Sequence, residues 1–223
     1  MIIHDKSFAI NFLNKVSYYR FVGYALHFEK FENRKRTHRY KPETSFENVV
    51  DLYNFDDKLR TILFDAITHI EVAFRTQLNL HMSLNSKDSH WPLSKKHVNA
   101  QFKHDKFLSD VEREINRSNE IFIKSYLRKY SEPTLPASWM LIEIISFGSW
   151  SKIYKSLENK DIKKDIANYF EIKPFLLESW IQSITTVRNI CAHHGRLWNS
   201  SLTIKPSITN NMQKTYDTKQ RKK

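Results

Sequence analysis

Three glycines in 223 residues, at positions 23, 148 and 195, are too few for the tight turns and close backbone approaches of a sheet-rich or nucleotide-loop fold. No two of them lie close enough to form a phosphate loop or a dinucleotide fingerprint. The single cysteine, Cys191, excludes an internal disulfide and a multi-thiolate zinc site, and it suits a reducing compartment. No apolar run reaches the roughly 18 residues that a spanning helix needs. The start, Met1-Ile2-Ile3-His4-Asp5-Lys6, lacks a signal-peptide pattern, so a soluble, cytoplasmic protein without a membrane partner is expected.

What is present points to a folded, basic, helical chain. Hydrophobic residues make up 40% and aromatics 13%, enough for a sizeable core. Thirty-six Lys and Arg against 24 acids leave a net charge of +12. That sign implies a polyanionic partner, nucleic acid before a membrane surface, or serves solubility alone.

Six prolines, at 42, 92, 133, 136, 174 and 206, divide the periodic segments. Phe8, Phe12, Leu13, Val16, Tyr19 and Tyr24 recur at helical spacing and lead into the basic run Arg34-Lys35-Arg36-Thr37-His38-Arg39. Thr44-Ser45-Phe46-Glu47 reads as a capping box. It opens one long helix to about residue 83, with a stripe at Val49, Leu52, Phe55, Leu59, Ile62/Leu63, Ala66, Ile70, Ala73/Phe74 and Leu78. A polar surface loop over 84–104 and a charged, periodic segment over 105–130 follow. The spacing then predicts a buried helix from Trp139 to Leu157, a short one from Asp161 to Tyr169, and a last one starting at Pro174. The fold class expected is all-α: an N-terminal helical extension over 1–41, a helical domain over 42–205 and a basic polar tail over 206–223.

The most informative stretch ends that last helix: Val187-Arg188-Asn189-Ile190-Cys191-Ala192-His193-His194-Gly195-Arg196-Leu197-Trp198-Asn199. The stripe Leu177, Ile181, Ile184 extends by four to Arg188, so a charged residue takes an interior or interface position, which is costly unless it is paired or used. Asn189 and His193 are i and i+4 and share a face, and Gly195 suggests where the helix stops. A guanidinium that clamps phosphate and an imidazole that exchanges protons near neutral pH are the groups needed to cut RNA without a metal. Spacing alone is weak support. An arginine with a histidine five to seven residues later occurs as Arg20/His27, Arg75/His81 and Arg188/His193, where about 1.6 chance matches are expected. Glu71 and Arg75, i and i+4, read first as an intrahelical ion pair and second as a support for the site. Cys191 lacks further metal-ligand partners at suitable spacing, so neither a metal nor another cofactor is expected.

The string RNICAHHGRLWN resembles the signature of bacterial abortive-infection proteins of the AbiD/AbiF type, in the HEPN superfamily of helical ribonucleases. Tyr18-Tyr19-Arg20-Phe21-Val22-Gly23-Tyr24 is similar to that family's "NYYRLSGY" element, and Ile70-Glu71-Val72-Ala73-Phe74-Arg75 to its "IE-x-x-x-R" helix. The resemblance implies a HEPN-like helical bundle that cuts RNA by 2′-hydroxyl attack, with two motifs facing each other in a homodimer. It assigns Arg188 to charge stabilisation, His193 to proton transfer and Asn189 to orientation, with His194 as second candidate for the proton. Glu71 and Arg75 take supporting roles. Arg196 and the run with Arg34, Lys35, Arg36 and Arg39 are candidate RNA contacts, the run being equally readable as a solvated loop. An antitoxin, protein or RNA, is the implied partner that restrains such an enzyme. Against this family the chain is short at both ends, so helical segments that usually complete the domain are expected to be missing. The rival readings are a non-catalytic RNA-binding module and a structural partner in a toxin–antitoxin pair.

Overall fold

Asp5 opens the first helix: its carboxylate accepts the Phe8 N–H at 3.0 Å, and α1 runs Lys6–Lys15. Ser17 caps α2 (Tyr18–Ala25) in the same way through the Arg20 N–H. A computed structural model describes residues 1–33, 35–210 and 212–213. Among them the chain is mostly helical, with nine α-helices and one two-stranded sheet. The remaining helices are α3 (Phe46–Ser86), α4 (His104–Arg117), α5 (Ile121–Lys129), α6 (Ser138–Ile144), α7 (Phe147–Ser156), α8 (Lys160–Tyr169) and α9 (Pro174–Ala192). The final basic run, Lys219 to Lys223, lies outside the described residues. No described helix is long and apolar enough to cross a membrane.

The sheet is the departure from an all-helical reading. Strands β1 (Glu29–Glu32) and β2 (Lys35–Tyr40) pair antiparallel, Glu29 opposite Tyr40 and Glu32 opposite Lys35, with a register shift between Glu29 and Phe31. Lys35 to Arg39 of the basic run therefore form a strand and not a loop. The Arg36 guanidinium donates to both Glu29 carboxylate oxygens at 2.7 Å, and the Thr37 hydroxyl donates to the Lys30 carbonyl. These cross-strand bonds hold a hairpin that the period-3.6 spacing upstream did not announce.

Three local expectations also shift. The capping box sits one residue later than Thr44/Glu47: the Asn48 N–H donates to Ser45 Oγ at 3.2 Å, and the Ser45 N–H donates back to Asn48 Oδ1 at 2.9 Å. The buried face of α3 holds Val49, Asp56, Arg60, Ile67, Glu71, Phe74, Leu78 and Met82, whereas Phe55 and Ile62 are exposed. Apolar counting slipped because three charged residues occupy that face. The helix expected over Trp139–Leu157 breaks at Ile145, in extended geometry, and Ser146 caps α7 by accepting the Ser149 N–H. A serine that can bond its own backbone competes with continuation of a helix.

The chain divides into two units, Met1–Asp65 with Asn189–Ser201, and Ala66–Arg188 with Leu202–Lys223. In the first, Phe21 stacks on Phe46 at 4.4 Å between ring centroids, over a core with Ala9, Tyr24, Ala25, Val49 and Val50. In the second, Trp150 lies between Trp91 and Phe107, at 6.0 and 5.9 Å, among Phe74, Leu78, Val111, Tyr154, Leu177 and Ile181. The segment after α3 closes on this core through the Asn99 N–H to Ser156 carbonyl bond of 2.8 Å. Capping gives the test for the first unit: Ser45→Ala and Asn48→Ala should each cost about 1 kcal/mol in urea unfolding. Glu47→Gln should stay within about 0.5 kcal/mol, and a Glu47 effect equal to that of Ser45 would restore the earlier box.

Candidate functional site

Arg188 belongs to the second unit, and Asn189 to Asn199 belong to the first. In the second unit, the Arg188 guanidinium Nε stands 3.4 Å from Glu71 Oε2, and Glu71 Oε1 accepts from Arg75 Nη2 at 2.5 Å. Arg75 also donates to the carbonyl of Ile142 and, at 3.4 Å, to that of Glu143, near the C-terminal end of α6. Glu71 is thus nearly buried between two guanidiniums, and the expected Glu71–Arg75 pair is present with Arg188 added to it. An interior-facing arginine is tolerable on those terms, because its charge is met by a carboxylate.

In the first unit, α9 ends in a Schellman motif. The His194 N–H donates to the Cys191 carbonyl at 3.1 Å, and the Gly195 N–H donates to the Ile190 carbonyl at 2.8 Å. The left-handed residue of that motif is His194, at φ 54°, and not Gly195. Gly195 is favoured for a different reason: a Cβ there would make tight contacts with Ile190 Cγ2 at 3.2 Å and the Ile190 carbonyl oxygen at 3.3 Å. His193 caps the helix with its N–H on the Asn189 carbonyl at 3.0 Å, and Asn189, His193 and His194 are all exposed.

The chain that leaves this cap is tied down by α2 and α3. Arg20 Nη1 donates to the His194 carbonyl, and Arg196 Nη1 donates to the Gly23 carbonyl at 2.5 Å. Asp56, fully buried, accepts the Trp198 N–H at 2.6 Å and the Leu197 N–H at 3.3 Å. The Tyr24 hydroxyl donates to the same carboxylate at 2.6 Å, and Arg60 Nη1 pairs with it. Burial, then the bond to Asp56, pushes the Tyr24 phenol up to about 12, so it stays a donor throughout the physiological range. The Trp198 ring meets His27 edge to face at 4.7 Å, a further tie on the returning chain.

These contacts join the Tyr-Tyr-Arg element to the terminal string within one unit. The family model for Abi-like proteins matches residues 11–199, most of the chain. The protein belongs to the Abi-like family. No curated protein and no solved structure matches the chain. Membership ties it to abortive infection, a form of phage defence. The matched span contains every described candidate site residue, Lys35, Arg36 and Arg39 of the hairpin among them, while Arg34 lies outside the described residues.

Burial also holds the Cys191 thiol above its ordinary value, which makes it a poor nucleophile or ligand. Among the described residues, no three His, Cys, Asp or Glu side chains gather as a metal cluster. Sequence reasoning missed Asp56 and Arg60. The signal was there, an acid and an arginine at i, i+4, but on a helix read by its apolar residues such a pair looks like surface decoration.

Two outcomes are expected from this geometry. Asp56→Ala should cost about 3–5 kcal/mol, since it leaves Arg60 buried without its main counter-charge and strands two backbone donors; a cost below about 1 kcal/mol in urea unfolding would remove Asp56 as the anchor. His194→Gly should hold or raise the melting temperature by relieving the left-handed backbone, whereas His194→Val and Gly195→Ala should lower it. A destabilised His194→Gly variant would show that the imidazole itself supports the fold.

Proposed function

We propose that this protein is a metal-independent endoribonuclease of the HEPN superfamily, of the AbiD/AbiF type, acting in abortive infection or in a toxin–antitoxin system. The supporting observation is the folded state of the terminal string: Arg188 is oriented by Glu71, and five residues on His193 caps the helix with its ring in solvent. An exposed imidazole can reach a substrate, and a guanidinium already positioned by a carboxylate loses little freedom on meeting phosphate.

In the reaction, His193 removes the proton of a ribose 2′-hydroxyl, and the 2′-oxygen attacks the adjacent phosphorus. The P–O5′ bond breaks and a protonated group returns a proton to the departing 5′-oxygen, a role open to His194 or to the partner subunit's string. The products are a 2′,3′-cyclic phosphate and a 5′-hydroxyl. Arg188 meets the charge that grows on the phosphoryl oxygens, and Asn189 orients the phosphate or the imidazole. Glu71 and Arg75 act on Arg188, as positioning residues. A homodimer sets two such strings against one RNA, and an antitoxin restrains it.

The hairpin supports the RNA-binding part of this reading. Lys35 and Arg39 are exposed on β2, while Arg36 is committed to Glu29, so phosphate contact falls to Lys35 and Arg39 ahead of Arg36. Arg196, committed in part to Gly23, lines a cavity of about 660 Å³ of mixed charge, with His27, Lys30 and Lys41 beside Glu29 and Glu32.

Cleavage of a labelled RNA in EDTA tests the reading. Wild type should release a 2′,3′-cyclic phosphate, and His193→Ala and Arg188→Ala should each lower the rate at least a hundredfold while sedimenting as the wild-type dimer. Retained RNA binding with no cleavage by wild type would favour the non-catalytic module. Weak, salt-independent RNA binding would favour the structural partner of a toxin–antitoxin pair.

A further inference from the structure

A second basic feature lies within the Ala66–Arg188 unit, on residues that neither the abortive-infection signature nor the proposed reaction uses. A cavity of about 400 Å³ is lined by Phe102, Lys103, Lys106, Asp110, Lys152 and Lys155, among others. Its walls are set by the core. Phe107 of α4 and Trp150 of α7 hold their rings 5.9 Å apart, and the Asn99 N–H to Ser156 carbonyl bond ties the preceding segment to the end of α7. The cavity is therefore a property of packed elements, which is what a pre-formed ligand site requires.

The charges are unbalanced. Lys103 caps α4 and Lys106 lies three residues on; Lys152 and Lys155 stand three apart on α7. Each pair shares a helix face, an arrangement in which like charges repel and weaken the helix. All four side chains are exposed. The one carboxylate in the lining, Asp110, is taken up by Arg113 Nη2 at 2.7 Å. Across a second cavity that shares Lys103 and Lys106, Asp105 is likewise taken up by Lys95 at 2.7 Å. Four lysines, on α4 with its cap and on α7, thus line one space whose acids already have cations of their own. An arrangement that costs folding energy and is left uncompensated by the protein is suited to an external anion.

The aromatic member narrows the class of anion. Phe102 is half-buried, with its ring 5.8 Å from that of Phe107 and 6.2 Å from that of His104, so it is held in place at the cavity wall. An apolar ring beside several lysines matches a ligand that has a flat base at one end and phosphates at the other. The volume is that of a site for a small molecule.

We propose that this cavity is a nucleotide-binding site, which takes phosphate groups on Lys103, Lys106, Lys152 and Lys155 and stacks a base on Phe102. A nucleotide unit of single-stranded RNA and a free nucleotide share this chemistry. The RNA source rests on the nuclease reading above, and the free-nucleotide source does not.

The test uses the full chain carrying His193→Ala, so that RNA is bound and not cut. Binding of a fluorescein-labelled 12-nucleotide single-stranded RNA and of ATP is measured across a range of salt. The triple variant Lys106→Gln/Lys152→Gln/Lys155→Gln is compared with Lys58→Gln/Lys160→Gln/Lys164→Gln, three exposed lysines outside the cavity, at the same net charge. The cavity variant should bind at least tenfold more weakly, with its RNA salt slope reduced by about 2, from roughly 0.7 per lost phosphate contact. The control should stay within threefold of the parent, and the cavity variant should melt no lower than the parent or the control. Phe102→Leu should weaken ATP several-fold while leaving inorganic tripolyphosphate unchanged, which separates stacking from charge. Loss confined to RNA identifies the strand as occupant. Loss confined to ATP identifies a free nucleotide, and the site then stands even if the protein cleaves no RNA. Equal binding by the cavity and control variants, or no binding of either probe by the parent, overturns the proposal.

Discussion

The carboxylate of Asp56 is the interaction on which the first unit depends. It is fully buried, and it receives the Tyr24 hydroxyl, an Arg60 guanidinium N–H and the backbone N–H groups of Leu197 and Trp198. Three segments far apart in sequence meet on one functional group: α2, α3 and the chain beyond α9. A buried charge of this kind is affordable only when nearly all of its hydrogen-bonding capacity is met, and here four donors meet it. Arg20 and Arg196 add the reciprocal ties, each donating to a carbonyl of the segment it faces. The terminal string is therefore positioned by the backbone bonds of its neighbours, which leaves its two histidine rings unused by the fold and open to solvent.

Glu71 has the corresponding place in the second unit. Its two oxygens serve Arg75 and Arg188, and Arg75 extends the network to carbonyls of α6. The result is an arginine whose direction is set by a carboxylate but whose side chain keeps about a third of its surface in solvent. The same pairing that makes Arg188 tolerable on an apolar stripe also orients it.

Much of the helical plan was legible. Long, uninterrupted spacing placed α3 and α9, and Pro174 marked the start of the last helix, whereas the segment after α3, expected as a surface loop, buries Trp91 and Pro92. The misreadings share one cause. Counting apolar residues put Phe55 and Ile62 inside and left Asp56 and Arg60 outside, when mutual pairing reverses those preferences. At Ile145-Ser146 a hydroxyl bond to the backbone outweighed a continuous apolar run, and in residues 29–40 cross-strand bonds, the Arg36–Glu29 pair among them, made a hairpin of a run of basic residues. Each depends on a partner that periodicity does not reveal.

By itself, the sequence determined the helical class and the Abi-like family. Those follow from composition, from spacing along one chain and from a local string, all of which are one-dimensional. Only the tertiary structure decided that His194, and not Gly195, takes the left-handed cap, that Asp56 anchors the string, and that Glu71 orients Arg188. Those outcomes rest on buried electrostatics and on backbone packing between segments distant in sequence, and such pairings exist only once the chain has folded.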